Sequence, residues 1–66
     1  MKNRLRVLRA ERELTQADLA DRIGVSRQTI VALEAGKYAP SLTLSFKLAK
    51  LFSQPVDSIF YPDANE

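Results

Sequence analysis

The feature that most constrains this chain of 66 residues is a glycine, Gly24, that separates two short amphipathic segments. Thr15 precedes the first segment and Ser26 precedes the second. A hydroxyl in either position can accept a hydrogen bond from the open N–H groups of a first helical turn. Glycine takes a positive φ without steric cost and therefore ends a helix sharply. The pattern predicts two helices joined by a tight turn of about three residues.

Periodic apolar residues elsewhere in the chain predict three more helices, whereas no segment shows the alternation of a strand. The expected helices cover residues 3–12, 16–23, 27–35 and 42–52, followed by a short one that begins at Pro55. The fold class is therefore all-α, a compact five-helix bundle in a single domain over 1–66. We expect order over about 2–62, with the last four residues frayed. The expected core stripe of the fourth helix is Leu42, Ser45, Leu48, Ala49 and Phe52.

The composition argues against several classes of protein. Cysteine and histidine are both absent, so neither a disulfide framework nor the usual zinc ligands are available. No glycine-rich phosphate loop and no paired acids occur, so we expect no catalysis, no cofactor, no metal and no small-molecule ligand. No targeting segment and no membrane span are indicated, which makes the cytoplasm the expected compartment.

The charge is distributed unevenly along the chain. Residues 1–37 hold eight Lys or Arg against five Asp or Glu, whereas residues 38–66 hold two against three. Such an asymmetry is typical of a protein with one face toward a polyanion, although an ordinary solvated surface could also produce it.

The residues around Gly24 meet the steric needs of one particular helix pair, which covers about residues 16–35. Ala20 is small where the two helices must approach, and Val25 can fill the space below the turn. Ile30 and Leu33 recur at helical spacing and can hold the second helix to the core. This is the pattern of a helix-turn-helix, in which one helix enters the major groove of DNA while the other lies across it.

The same residues resemble a known family. They read TQADLA over 15–20, GVSR over 24–27, LEAGK over 33–37 and PSL over 40–42, with Ile30 between. This pattern resembles the Xre family of phage Cro and repressor-type helix-turn-helix regulators, and the resemblance covers roughly residues 4–60. It implies a five-helix DNA-binding domain of the repressor type that binds double-stranded DNA as a transcriptional regulator. We expect it to act by repression.

The exposed side chains at the start of the third helix are the candidates for reading bases. Arg27 can donate two hydrogen bonds to guanine, and Gln28 can form a bidentate pair with adenine. One turn further, Val31 and Ala32 can make apolar contacts with bases.

A second set of residues is expected to contact the DNA backbone. Gln16 and Ser26 lie at helix N-termini, where open N–H groups favour a phosphate. Thr29 could contact a phosphate or a thymine methyl. The resemblance implies that Gln16 contacts the backbone and places Lys37 and Tyr38 in a loop that commonly touches phosphate.

The resemblance also implies a structural ion pair between Arg9 in the first helix and Glu34 at the end of the third. The other arginines of the first segment are expected to be solvated, although contact with a phosphate stays open for them: Arg4, Arg6 and Arg12. Ser53 stands where related chains usually have a helix-ending glycine, so the last turn could differ.

Apolar residues surround much of the fourth helix, which is more than one core needs. The expected homodimer interface consists of Leu44, Phe46, Leu51, Phe60 and Tyr61. Two alternatives stay open. Phe46 and Leu51 could pack under the first helix and the C-terminal segment within one protomer. Alternatively, the fourth and fifth helices could bind another protein, as in an antitoxin-like interaction module.

Overall fold

The structure is a computed structural model that describes residues 1–63. Its elements in chain order are β1 (Lys2–Asn3), α1 (Leu5–Glu11), α2 (Gln16–Ile23), α3 (Arg27–Glu34), α4 (Leu42–Phe52), α5 (Val56–Ile59) and β2 (Phe60–Tyr61). The five predicted helices are present, which confirms the fold class. Residues 64–66, which belong to the segment expected to fray, lie outside the described residues. Within residues 1–63, no helix is long and apolar enough to cross a membrane.

Hydroxyl side chains cap the N-termini of three helices, as the sequence predicts. Thr15 accepts a hydrogen bond from the N–H of Asp18 at 3.0 Å, and the Asp18 carboxylate accepts one from the N–H of Thr15 at 3.0 Å. This reciprocal pair satisfies two donors that the helix itself leaves open. Ser26 and Ser41 cap α3 and α4 in the same way, although without the reciprocal carboxylate.

The turn between α2 and α3 has the predicted geometry. Gly24 adopts φ 76° and ψ 36°, and its N–H donates to the carbonyl of Ala20. Val25 is half-buried against the core just after the turn. The core contains buried side chains from all five helices and from β2: Leu5, Leu8, Leu19, Ala20, Ile23, Ile30, Leu33, Leu48, Phe52, Ile59 and Phe60. The two helices are therefore fixed relative to one another by a shared core.

The prediction of an entirely helical chain is wrong at the two ends. Lys2 pairs with Tyr61 and Asn3 with Phe60 in a two-stranded antiparallel sheet. The predicted first helix began at residue 3, but Asn3 belongs to this sheet and α1 begins at Leu5. Two strands of two residues show no periodicity in a sequence, and the sheet forms because the packed helices bring the two ends of the chain together.

The predicted core stripe of α4 holds except at its first residue. Ser45, Leu48 and Phe52 are buried, whereas Leu42 is 69% exposed. Leu42 is the first residue of the helix, and no neighbouring element covers it there.

Two residues near the end of α4 also correct the sequence-based expectations. Ser53 adopts φ 54° and ψ 42°, so it forms the left-handed helix end for which glycine is the usual residue. Arg12 was expected to be a solvated cation. Its guanidinium instead donates to the carbonyls of Leu51 and Phe52, each at 3.1 Å, and lies over the ring of Phe52. It satisfies carbonyl groups at the C-terminus of α4, where the helix dipole favours a cation.

Candidate nucleic-acid interface

The first turn of α3 presents polar side chains to solvent while its opposite face is buried. Arg27 and Gln28 are exposed, and the side chain of neither makes a hydrogen bond or ion pair with any other residue of 1–63. Ile30 and Leu33, at 0% and 1% exposure, hold the helix to the core. The N–H donors of these two side chains are therefore available to a ligand on the outer side of α3. The packed inner face holds the helix in a fixed position.

The residues that follow on α3 are smaller and less polar. Val31 is 40% exposed and Ala32 is half-buried. Thr29 is half-buried, and its hydroxyl lies 3.0 Å from that of Ser26. The Ser26 hydroxyl also accepts the N–H of Thr29 at 3.2 Å, so the first turn of α3 is ordered by its own side chains.

The loop after α3 is linked to the first turn of α3 by a hydrogen bond. Tyr38 is 43% exposed, and its hydroxyl donates to the carbonyl of Thr29 at 3.4 Å. Lys37 is exposed beside it. Gly36 adopts φ 73°, and a Cβ at this position would lie 2.9 Å from the carbonyl oxygen of Met1. A left-handed backbone and a close approach therefore both require glycine where the chain leaves α3.

The structure brings Arg9 and Glu34 together at the other end of α3. The guanidinium Nε lies 2.7 Å from Oε2 of Glu34, and Nη2 lies 3.1 Å from Oε1. The third donor, Nη1, reaches the carbonyl of Leu14 at 2.9 Å. The side chains are only 16% and 8% exposed, and the hydrogen bonds that Arg9 donates to Glu34 raise the pKa of Arg9 against the opposing effect of burial. Arg9 stays charged and joins α1, the start of α2 and the end of α3.

Gln16 belongs to the same network. Its Nε2 donates to Oε1 of Glu34 at 3.3 Å. One N–H of the amide is held by this bond, and the second remains for a ligand at the N-terminus of α2. The amide is therefore positioned rather than freely rotating.

Asn3 is a structural residue of this region for which the sequence gives no signal. Its Nδ2 donates to the carbonyl of Leu33 at 2.8 Å, and its Oδ1 accepts the N–H of Leu5 at 3.1 Å. It fixes the end of α3 to the start of α1. The partner carbonyl is 30 residues away in the chain, and local patterns do not report contacts over that distance.

The residues expected to form a dimer interface do not share one surface. Phe46 and Tyr61, 58% and 40% exposed, line one apolar groove. Leu51 lines a different crevice, with Ile23 and Lys47, and packs against the core from there. Leu44 also packs against the core and is half-buried. Phe60 lines the same groove as Phe46 and Tyr61, but it is only 6% exposed and belongs to the protomer core.

The arrangement can be compared with known proteins. The model of the helix-turn-helix family matches residues 5–59. The chain belongs to the helix-turn-helix family. This match confirms the resemblance to Xre-type regulators over most of residues 4–60.

The chain is also similar to named regulators, two of them over its whole length. It is 54% identical over 66 residues to an uncharacterized HTH-type transcriptional regulator of Methanocaldococcus jannaschii, with all of both chains covered. It is 47% identical to an uncharacterized HTH-type transcriptional regulator of Archaeoglobus fulgidus, with all of this chain and 93% of the other covered. A cryptic phage CTXphi transcriptional repressor, RstR of Vibrio cholerae, is 41% identical over 54 residues, which cover 82% of this chain and 49% of RstR.

These findings confirm the prediction of DNA-binding transcription regulation. They do not favour the alternative of an interaction module that has lost DNA binding.

Proposed function

We propose that this helix-turn-helix protein reads a specific sequence of double-stranded DNA with α3 and represses transcription there. The observation that carries the proposal is the free polar first turn of α3 on a buried support. Arg27 and Gln28 have no intramolecular partner within residues 1–63, while the inner face of the same helix is fully packed. Repression is supported by the similarity to RstR, which is named as a transcriptional repressor. Action on DNA in turn supports the expected cytoplasmic location.

The proposed base contacts follow from the chemistry of the exposed side chains. Arg27 donates to O6 and N7 of a guanine, and Gln28 pairs with N6 and N7 of an adenine. Val31 contacts a thymine methyl, and Ala32 offers only limited apolar contact. Each bidentate pair is worth about 1–3 kcal/mol of discrimination against a wrong base.

The proposed backbone contacts surround α3. Gln16 donates its free amide N–H to a phosphate at the start of α2, and Ser26 and Thr29 contact a second phosphate at the start of α3. Lys37 and Tyr38 contribute a charge and a hydroxyl from the following loop. These contacts set the orientation of the protein and carry no sequence information themselves.

We further propose that the protein acts as a homodimer through the groove beside α4. Phe46 and Tyr61 expose apolar surface there, and the groove of about 550 Å³ includes Pro40, Val56 and Pro62 in its lining. Leu42, one turn before Phe46 on α4, extends this apolar surface and is 69% exposed. Two recognition helices on a symmetric dimer would read half-sites about one helical turn apart.

The test is selection of duplexes from a random pool by the purified protein, with sequencing of the retained DNA and binding measured over a salt series. The proposal expects an enriched palindrome, and log affinity that falls linearly with log salt concentration. Arg27→Ala is expected to lose preference at one position of each half-site, whereas Arg22→Ala, on the α4 side of α2, should leave the motif unchanged. Retention of DNA without any enriched motif would contradict sequence-specific binding.

The dimer is tested separately by analytical ultracentrifugation at tens of micromolar. The proposal expects a species of twice 7.4 kDa that Phe46→Ser returns to the monomer. Leu42→Ser serves to map the edge of the interface. A wild-type protein that sediments only as a monomer, both alone and on DNA, would contradict the dimer.

A further inference from the structure

A polar cleft lies between α3 and α1, beside the start of α2. It has a volume of about 490 Å³ and is open to solvent. The lining residues come from α1, from the start of α2 and from the outer face of α3: Arg6, Arg9, Gln16, Val31, Glu34 and Ala35. The cleft therefore adjoins both a proposed base-reading residue, Val31, and a proposed phosphate ligand, Gln16.

The charges in this cleft do not balance. Among the described residues, Glu34 is the only acid in the lining. Its two oxygens already accept three hydrogen bonds, two from Arg9 and one from Gln16. Arg6 lies one helical turn before Arg9, on the same side of α1. The Arg6 side chain is exposed and makes no hydrogen bond or ion pair with any described residue. The cleft thus holds one guanidinium whose charge is not neutralised by any of residues 1–63.

A guanidinium in this situation suits a phosphate. Its planar set of donors matches phosphate oxygens, and it is less strongly hydrated than an ammonium group. The Gln16 amide, which Glu34 holds in place, offers a second donor in the same cleft. The sequence leaves open whether Arg6 is solvated or contacts a phosphate, because its position shows only a basic residue on an amphipathic helix.

We infer that Arg6 is a further ligand of the DNA backbone, and that it binds, beside Gln16, a phosphate next to the α1 side of the recognition helix. This inference rests on the proposed function. It extends the DNA-binding surface from the helix pair and the following loop to the first helix. Arg9, one turn away, has a structural role instead, because its donors are used by Glu34 and Leu14.

The experiment measures the affinity of the full chain for the duplex that the selection enriches, by fluorescence anisotropy between 50 and 200 mM KCl. Arg6→Gln is expected to make the slope of log affinity against log salt shallower by about one. The ratio of wild-type to variant affinity should then fall about 3.5-fold across that range. The loss should be equal on a scrambled duplex, since phosphate contacts carry no sequence information.

Three further measurements separate this role from a structural one. Arg6→Lys should retain the wild-type slope, because it keeps the charge. Arg22→Gln is the matched control, since Arg22 lines the crevice beside Lys47 and Lys50, and it should also retain the slope. The urea midpoint of Arg6→Gln should equal that of the wild type, because the side chain is exposed and has no partner among residues 1–63.

Each remaining outcome overturns the inference in a recognisable way. Wild-type binding together with an unchanged slope for Arg6→Gln would overturn the assignment of Arg6 and leave the proposed function intact. A loss restricted to the enriched sequence would make Arg6 a base contact instead. Absence of any wild-type binding would overturn the proposed function and the inference together.

Discussion

Arg9 on α1 donates two hydrogen bonds to Glu34 at the end of α3, with N to O distances of 2.7 and 3.1 Å. The pair joins two helices through residues that are 25 positions apart in the chain. Because Glu34 also accepts from Gln16, the same carboxylate links the stability of the fold to the position of a proposed DNA ligand.

Removal of either partner should destabilise the protein strongly. Glu34→Ala leaves the Arg9 guanidinium largely desolvated without its carboxylate, and we expect a loss of about 3 kcal/mol in the free energy of unfolding. Urea denaturation followed by circular dichroism measures the change.

In a double-mutant cycle with Arg9→Ala, the coupling energy should exceed about 1 kcal/mol. Glu11→Ala, an exposed acid on α1, is the control and should change stability by less than about 0.5 kcal/mol. Additive single losses would argue against the pair.

The two glycines with positive φ should differ in their tolerance of alanine. Gly24 has φ 76°, and no atom of residues 1–63 lies within 4 Å of a Cβ placed there. Gly24→Ala should therefore lower the free energy of unfolding only by the cost of the left-handed conformation, about 1 kcal/mol. At Gly36 the φ of 73° is combined with a 2.9 Å approach to the Met1 carbonyl oxygen. Gly36→Ala should therefore lower the urea midpoint more than Gly24→Ala does. The reverse order would mean that Met1 can move away from a Cβ at position 36 without a loss in the free energy of unfolding.

Ser53→Gly should stabilise the protein. Ser53 adopts φ 54° at the end of α4, a conformation that costs a residue with a Cβ about 1 kcal/mol. Thermal unfolding should show a rise of about 4 °C or more for a domain of this size. Ser58→Gly, in the short helix α5, is the matched control and should lower the melting temperature. A decrease for Ser53→Gly would show that the added freedom of the unfolded chain outweighs the relief of strain.

Stability should depend on pH through Asp18. The N–H of Thr15 donates to its carboxylate and holds the pKa of Asp18 below its ordinary value, with smaller contributions from the Thr15 side chain and Arg22. A lowered folded-state pKa stabilises the protein above the unfolded-state pKa of about 3.9. This stabilisation is lost as the pH falls through the lower folded-state pKa.

The comparison of wild type with Asp18→Asn isolates this effect from the other carboxylates. The variant should melt at a lower temperature at pH 6. The two melting temperatures should converge as the pH falls below the unfolded-state pKa of about 3.9 and through the lower folded-state pKa. Asp21→Asn, an exposed acid on the same helix, should show no such convergence. A constant difference between wild type and Asp18→Asn at all pH values would contradict a contribution from the charge.

The sequence by itself determined the helices and their ends. Thr15, Ser26 and Ser41 cap their helices through their own hydroxyls, and Gly24 turns the chain between α2 and α3. These features depend on the backbone groups of the next three or four residues, so a local pattern suffices to predict them. The free polar start of α3 follows for the same reason, because Ile30 and Leu33 fix which face of that helix is buried.

Only the tertiary structure decided how distant segments meet. Lys2 and Asn3 form a sheet with Phe60 and Tyr61, Asn3 binds the carbonyl of Leu33, and Arg12 reaches the end of α4. The same packing buries Phe60, leaves Leu42 exposed and leaves Arg6 unpaired among residues 1–63. Contacts of this kind depend on the three-dimensional placement of whole helices. A periodic pattern gives the face that a helix buries, but not which distant groups lie beside its ends.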